Sequence, residues 1–445
     1  MKIIIAGAGE VGTYLAKMLS NEEQDIILID DKQERLDIID SNYNLMTLNA
    51  PTSSIQALRD SGVENADLYI AVTPYESKNI MACGIAKRLG AGKTVARIDN
   101  YEFMENDNRP LLSDLGVDRL IYPEYLAADE ICTALEHNWA RHWSELHYGH
   151  LLLIGVKIHS EKCPLLGRQI REIPASEHYF HIAAIRRNHE TIIPNGSDRI
   201  YRDDIVYFIT AEENADRVRE ICGKTSHYIK RVIIMGGNRI AVRFALQSGK
   251  RFEIKIIEPD RQRAEYLAQR LPDCDIELGD ARDVDTLRDN NIEQYDAFLA
   301  FSESSETNVL ACLTAKEFGI KKTVCEVESL QFLSLAESLN IGTVINKKII
   351  ASSRIFKLLL DADETSSKTF ALNDAEVAEL KVKEGARITR KPVRDLRLPY
   401  GMTLAAVVKG NSADLVSGNT RIDPGDMVVV FCLTGTIHQV EKWFT

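Results

Sequence analysis

The 445-residue chain contains the same strand-and-glycine segment twice. KIIIAGAGEVG begins at Lys2, and RVIIMGGNRIA begins at Arg231, 229 residues later. The same offset relates Ala82 in NIMACGIAK to Ala311 in NVLACLTAK. A tandem duplication is therefore indicated, and it restricts the chain to folds built from two equivalent halves.

The apolar pattern of each copy predicts a parallel sheet. Short Ile- and Val-rich runs alternate with helical patterns, such as the one through Val11, Leu15 and Leu19. Alternation of buried strands with amphipathic helices is typical of a doubly wound, Rossmann-type α/β domain. The predicted strands cover 2–6, 25–30, 68–72 and 94–98 in the first copy, and 231–235, 253–258, 296–301 and 323–327 in the second.

A different sequence pattern follows each copy. Short strands separated by Gly, Pro and Asn turns run from Leu151 to Phe208 and again to the end of the chain, and Asp204 matches Asp426 at an offset of 222. This pattern predicts a small α+β domain after each Rossmann-type domain. The predicted organisation is 1–125 and 229–350 for the Rossmann-type domains, 150–228 and 370–445 for the small domains, and 126–149 and 351–369 for the linking segments.

The first linking segment is rich in aromatic residues. Trp139 and Trp143 are four residues apart, which predicts an amphipathic helix from about Leu126 to Tyr148 that packs against a neighbouring domain or subunit. Four histidines lie here, at 137, 142, 147 and 150. Their spacing does not place them on one helical face, so we expect no metal site.

The loop GAGEVG, residues 7–12, is the strongest functional motif. It follows a strand and begins a helix, the context that a dinucleotide-binding fingerprint requires. Gly7 permits the tight turn, Gly9 leaves room for pyrophosphate, and Gly12 allows close packing of helix on sheet. Asp30, at the end of the second strand, is placed to bind the ribose hydroxyls and favours NAD over NADP. A glycine turn that serves packing alone is the alternative.

Two further side chains are candidates at the crevice of the first copy. Thr73 follows the fourth strand, on the side where ligands bind in such sheets. Arg97 ends the fifth strand and either faces the phosphates or is a solvated surface residue.

The second copy departs from the fingerprint. Asn238 replaces Gly9 and Ala241 replaces Gly12, and a side chain at the first of these positions intrudes where pyrophosphate would approach. Glu258 occupies the place of Asp30, but Glu326 stands where the first copy has Arg97. A structural role or a different ligand is therefore favoured over dinucleotide binding.

Composition excludes several classes of protein. The net charge is -12 with no basic stripe, which argues against a nucleic-acid partner. No apolar run approaches the roughly 20 residues needed to cross a bilayer, and the eight cysteines form no framework, so a cytoplasmic protein is expected. No catalytic constellation stands out, which makes an NAD-dependent oxidoreductase the weaker alternative.

The quoted motifs, together with ADLYIAVT, ARI at 96–98, GDA at 279–281 and the paired strands RDDIVYFI and PGDMVVVF, resemble the TrkA family along essentially the whole chain. Members of this family are regulatory subunits of bacterial Trk-type potassium uptake systems, with RCK nucleotide-binding domains each followed by an RCK C-terminal domain. The resemblance implies a non-enzymatic gating protein that binds NAD or NADH, with ATP or ADP as alternatives.

The resemblance also implies partners and site residues. It implies a homotetrameric ring on the cytoplasmic face of the inner membrane, beneath a TrkH-type membrane subunit; a soluble sensor without that partner is a further alternative. Asp99 stands where relatives often have a second Arg after ARI, which disfavours tight ATP binding. The implied cofactor-binding residues are Gly7, Ala8, Gly9, Glu10, Val11, Gly12, Asp30, Asp31, Arg35, Asn49, Ala50, Thr73, Pro74 and Arg97, with Gly236, Glu258, Asp280 and Ala281 in the second copy.

Overall fold

The computed structural model describes residues 1–20, 24–43, 45–159, 161, 163–174, 179–188, 190–329, 332–333, 335–336, 339, 341–360, 368–372, 375–409, 412–433 and 436–445. The chain divides into two compact units. Residues 1–129 and 345–359 form the first unit, and residues 130–344 and 360–445 form the second.

The first unit is built on a six-stranded parallel sheet. Its strands are β1 (Lys2–Ala6), β2 (Asp25–Asp30), β3 (Met46–Asn49), β4 (Leu68–Ala71), β5 (Lys93–Arg97) and β6 (Arg119–Ile121). Its helices are α1 (Glu10–Ser20), α2 (Gln33–Asp40), α3 (Ile55–Asp60), α4 (Glu76–Leu89), α5 (Arg109–Asp114) and the start of α6 (Pro123–Glu136). The strand order β3-β2-β1-β4-β5-β6 reverses between β1 and β4, which opens a crevice at their carboxyl ends.

An antiparallel module follows in the second unit. Its strands are β7 (His142–Leu146), β8 (Leu151–Lys157), β9 (Phe180–Arg187), β10 (Glu190–Ile192) and β11 (Ile205–Thr210), followed by α7 (Ala215–Ile221). They pair in the order β10-β9-β11-β8-β7. We refer to this as the first C-terminal module.

The second parallel sheet repeats the topology of the first. Its strands are β12 (Arg231–Met235), β13 (Glu253–Glu258), β14 (Asp275–Leu278), β15 (Ala297–Ala300), β16 (Lys322–Glu326) and β17 (Thr343–Ile345), in the order β14-β13-β12-β15-β16-β17. Its helices are α8 (Arg239–Ser248), α9 (Arg261–Arg270), α10 (Val284–Asp289) and α11 (Ser305–Glu317). The predicted pair of doubly wound sheets is confirmed.

The chain ends in the second C-terminal module. After α12 (Lys347–Leu360), this module contains β18 (Lys368–Leu372), β19 (Ala375–Lys381), β20 (Met402–Lys409), β21 (Ser412–Leu415), β22 (Met427–Leu433) and α13 (Ile437–Glu441). The strand order is β18-β19-β22-β20-β21. Among the helices of the described residues, none is both long and apolar enough to cross a membrane.

The predicted helix from Leu126 to Tyr148 is wrong in its second half. Helix α6 ends at Glu136, and Trp143 lies on β7, which pairs with β8. The two tryptophans meet edge to face at 6.0 Å within the core of the first C-terminal module. Their spacing of four reflects a turn followed by a strand, and they pack inside their own module.

The two C-terminal modules share one hydrophobic core. Apolar side chains of β8, β9 and β11 pack with those of β19, β20 and β22 in a single buried cluster. At its edge, the Glu379 carboxylate accepts a hydrogen bond from the His147 backbone N–H at 3.0 Å and lies 3.0 Å from its Nδ1. His181 and Thr403, equivalent at the offset of 222, are joined at 3.1 Å. Each module therefore covers the apolar face of the other.

This shared core leads to a test with a built-in comparison. Phe431 lies in the shared cluster, whereas Phe444 packs only within the second module, and both side chains are buried. With Trp443 replaced by Phe, the fluorescence of Trp139 and Trp143 reports the first module. Truncating a core Phe to Ala lowers the free energy of unfolding by about 3–5 kcal/mol. We expect Phe431→Ala to lower the unfolding midpoint of this signal more than Phe444→Ala does, and equal shifts would argue against a shared core.

Candidate functional site

The first glycine-rich loop joins β1 to α1 through close backbone contacts. Gly7 has a φ of +116°, which favours glycine. A Cβ on Gly12 would lie 1.8 Å from the Gly7 carbonyl oxygen, so only glycine fits there. A Cβ on Gly9, in contrast, would meet nothing within 4 Å. The loop is therefore tightly packed on its sheet side and open at Gly9, where a ligand can reach the backbone.

A buried carboxylate holds this loop. The Asp30 side chain accepts hydrogen bonds from the Ala8 N–H at 2.7 Å and the Lys32 N–H at 2.9 Å, and Arg35 Nη1 lies 3.6 Å from it. The Asp30 carbonyl accepts a bond from the Ala50 N–H at 3.0 Å. Each carboxylate oxygen has more than one acceptor position, so hydroxyl groups of a ligand can bind as well.

The far wall of the crevice is fixed by Asn79, which the sequence analysis did not single out. Its Oδ1 accepts bonds from the Thr73 N–H at 3.0 Å and the Thr73 hydroxyl at 2.6 Å. Its Nδ2 donates to the carbonyls of Thr73 and Arg97, both at 2.9 Å. One buried amide therefore connects the ends of β4 and β5. The repeat could have revealed it, since Asn308 follows at the offset of 229.

A lysine from the second half of the sequence reaches the same loop. Lys348, near the start of α12, places its Nζ 2.6 Å from the Glu10 Oε1, and the Ser352 hydroxyl donates to the Val11 carbonyl at 3.3 Å. The Lys348 side chain is mostly buried, whereas Glu10 is exposed. The first loop thus has a cation beside the start of α1 that no spacing in the sequence indicated.

The remaining predicted residues of the first copy lie around this centre. Asn49 pairs with Asp30 in the register of β2 and β3. Asp31 and Pro74 are exposed, and Arg97 is half-buried at the end of β5. The structure brings Gly7, Ala8, Gly9, Asp30, Ala50 and Thr73 to one edge of the sheet, where Gly7 packs on Thr73.

The second loop has the same acid but a filled opening. The Glu258 carboxylate accepts a bond from the Gly237 N–H at 2.7 Å, as Asp30 does from Ala8. The Asn238 Oδ1 accepts bonds from the N–H groups of Ile240 and Ala241, and its Nδ2 donates to the buried Glu326 at 2.7 Å. The N–H groups that would face a phosphate are therefore already bonded within the chain.

The other candidates of the second copy follow this pattern. Gly236 has a φ of +88°, as the turn requires, and Ala281 is buried. Asp280 forms an ion pair with Arg282 at 2.6 Å, and this pair lowers the Asp280 pKa. Among the described residues, no group of three or more His, Cys, Asp or Glu side chains is arranged to hold a metal ion.

Family models match both halves of the chain. The TrkA-N domain matches residues 3–123 and 232–347, and the TrkA-C domain matches residues 153–223 and 377–445. The Trk system potassium uptake protein TrkA of Haemophilus influenzae is 30% identical over 455 residues, covering 100% of this chain and 98% of that protein. This chain belongs to the TrkA family.

Relatives and solved structures extend this result. A TrkA homolog of Archaeoglobus fulgidus is 30% identical over 448 residues, with 100% of each chain covered. The GsuK channel has a TM-score of 0.63 at 13% identity, covering 99% of this TrkA-family chain and 78% of the channel. The GsuK channel bound to NAD has a TM-score of 0.61 at 13% identity, with coverage of 100% and 78%. The GsuK RCK domain has a TM-score of 0.61 at 14% identity, with coverage of 99% and 94%, and this likeness identifies the RCK fold.

Two carboxyl groups meet at the edge of the first crevice in this TrkA-family chain. The Glu76 Oε2 accepts bonds from the N–H groups of Asp99 and Asn100, both at 3.0 Å. Burial, and next a hydrogen bond with the Asp99 side chain, raises the Glu76 pKa from its ordinary 4.5. When both carboxyl groups are ionised, they oppose additional negative charge beyond the end of β5.

The loop packing gives a matched pair of glycine variants. Because a Cβ on Gly12 collides with the Gly7 carbonyl, we expect Gly12→Ala to lower the free energy of unfolding by about 3 kcal/mol or more. Gly9→Ala points into open space and precedes α1, so about 1 kcal/mol or less is expected. Chemical denaturation of both variants tests this, and equal losses would contradict the described packing.

The carboxyl pair predicts a pH-dependent gain in stability. A raised Glu76 pKa means that folding binds a proton, so its contribution to stability falls as pH rises from 4.5 through the folded pKa. Asp99→Asn removes the repulsion, and we expect a gain of about 0.5 kcal/mol at pH 7 that vanishes near pH 4. Thermal unfolding at both pH values measures it, and a gain equal at both would contradict the explanation.

Proposed function

We propose that the chain is a cytoplasmic regulatory subunit of a Trk-type potassium uptake system, and that it gates the transporter by binding a nucleotide at the first loop. The observation that carries this proposal is the contrast between the two loops. The first is open at Gly9, whereas Asn238 bonds across the equivalent opening of the second. The full-length similarity to potassium uptake proteins supplies the physiological setting.

We propose an adenine dinucleotide, NAD or NADH, as the preferred ligand, with ADP and ATP as weaker alternatives. The Asp30 carboxylate suits ribose hydroxyls and repels a 2′-phosphate. The pyrophosphate would lie at Gly9 against the start of α1, where free N–H groups and the helix dipole favour anions. The Glu76–Asp99 pair disfavours a third phosphate. A protein of the same fold, the GsuK channel, has been solved with NAD bound.

Lys348 makes the proposed site responsive to conformation. It pairs with Glu10 at the first loop, within reach of the start of α1 where the pyrophosphate is proposed to bind. A nucleotide that recruits Lys348 binds more tightly when α12 is docked on α1, and a ligand shifts an equilibrium only through such differences in affinity. We therefore propose that nucleotide occupancy stabilises one arrangement of α12, which biases a ring of subunits.

Self-assembly is supported by apolar side chains left exposed in both copies. Met81, Leu111 and Leu115 are exposed beside an apolar groove of about 800 Å³ in the first unit. Leu310 is the equivalent of Met81 and is also exposed. Exposed apolar surfaces of this kind mark protein interfaces. We propose that these surfaces hold four copies of the chain together as a homotetramer. The homotetramer would lie beneath a TrkH-type membrane subunit, at the cytoplasmic face of the membrane.

The proposed site is tested by placing the same side chain at matching positions of the two loops and measuring nucleotide binding. Calorimetric titration of the purified chain with NAD, NADH, ADP and ATP should show binding that Gly9→Asp weakens by about a hundredfold or more, since its carboxylate would face the pyrophosphate. Asn238→Asp places the same side chain at the equivalent position of the second loop, and it should retain binding. Equal losses in the two variants, or none in Gly9→Asp, would exclude the first loop.

Transport then tests the regulatory role. With the chain and its membrane partner in liposomes, potassium flux should depend on the nucleotide for the Asn238→Asp protein and lose that dependence with Gly9→Asp. Steady oxidation of NADH with a small substrate, without any effect on flux, would instead favour an oxidoreductase.

A further inference from the structure

A small polar cavity lies in the second unit, away from both glycine-rich loops. It has a volume of about 190 Å³, and it is lined by the turn after α6, the end of β8, the segment after α7, the end of α11 and the start of β16. Its cationic lining residues are Arg141, Lys157, Lys224, Lys316, Lys321 and Lys322, with His159 beside them. No carboxylate is found among the described residues that line it.

Lys322 lies deepest in this cluster. Its side chain is buried, and the contact of its Nζ with the Asn138 carbonyl is long, at 3.5 Å. The Lys322 pKa is lowered to about 7, first by burial and then by the charges of Arg141 and Lys316, against an opposing effect of Glu130. Buried lysines in proteins are ordinarily paired with a carboxylate. Here the described residues that line the cavity include several other cations and no carboxylate.

Contacts with neighbouring residues hold some of the other cations in place. Arg141 donates to the Gly342 carbonyl at 2.7 Å, which fixes its guanidinium at the wall of the cavity. Asp203, an exposed residue outside the lining, pairs with His159 at 3.0 Å and Lys157 at 3.5 Å. Burial also lowers the pKa of Lys224 and Lys316. In a chain of net charge -12, this concentration of cations is not a general surface property.

We propose that this cavity is a second ligand site, which binds an anion of the phosphate class. Several lysines and one arginine around a small, partly desolvated space match the charge and the many acceptor oxygens of phosphate or pyrophosphate. The volume is below the range of about 300–1,000 Å³ that is typical for drug-sized ligands. The ligand is therefore inorganic phosphate, pyrophosphate, or the phosphate end of a nucleotide whose base lies outside the cavity.

The site would link two parts of the second unit. Lys157 and Lys224 belong to the first C-terminal module, whereas Lys316 and Lys322 belong to the second parallel sheet. An anion between them offsets the repulsion among these lysines and joins the two parts.

Titration with inorganic anions in a loop-blocked background tests the proposal. The full chain carrying Gly9→Asp, in chloride buffer of constant ionic strength, is titrated with phosphate, pyrophosphate and ADP. We expect saturable binding of at least one of these, weakened about tenfold or more by Lys224→Gln with Lys316→Gln, since each removes a charged hydrogen-bond donor. The control is the double variant Lys93→Gln with Lys391→Gln, which removes two exposed lysines outside the cavity. It should bind the same anion as tightly as the Gly9→Asp protein does.

A single substitution at the buried lysine guards against misfolding of the double variant. Lys322→Met keeps the apolar stem and removes the charge, so it should raise the unfolding temperature without ligand while weakening anion binding. If only ADP binds, and the lysine variants lose this binding, the proposal is supported and the phosphate belongs to a nucleotide. Absence of binding by all three anions, or equal binding by the double variant and its control, overturns the proposal. Because the first loop is blocked throughout, these outcomes are independent of nucleotide gating.

Discussion

The contact on which both halves of this chain depend is a hydrogen bond from a loop N–H to an acid at the end of the second strand. Asp30 accepts it from Ala8, and Glu258 accepts it from Gly237, both at 2.7 Å. The acid is buried in each copy, and the backbone donors replace hydrogen bonds to water that burial removes. With the loop held to the strand in this way, the helix that follows begins at the crevice between β1 and β4, or between β12 and β15.

The same scaffold has a different opening in each copy. Position 9 has no side chain, whereas the equivalent Asn238 satisfies the first N–H groups of α8 and bonds to Glu326. Asn238 thus accepts hydrogen bonds from the N–H groups at the start of α8, as a bound anion would at the start of α1. The two copies therefore share one frame and differ at this opening, and the proposed nucleotide site rests on that difference.

Local pattern predicted the parts of the structure that depend on neighbours in sequence. The two parallel sheets, their order of elements, and the position of Asp30 at the end of the second strand follow from strand periodicity and from a short motif. The prediction of a helix through Trp143 was wrong because a spacing of four residues also fits a turn followed by a strand. Pairing of β7 with β8 places Trp143 on a strand instead. Lys348 could not be foreseen, since its contact with Glu10 is set by tertiary packing alone.

The position of Lys348 in the chain also orders events during synthesis. Domains generally fold from the amino terminus as they leave the ribosome. The first sheet is complete once β6 has emerged, but α12, which supplies Lys348 and Ser352 to its loop, is made more than 220 residues later. A prematurely terminated product would contain a folded first sheet with an unfinished loop environment. The helix that completes the first loop is therefore available only in chains whose second parallel sheet has already been translated.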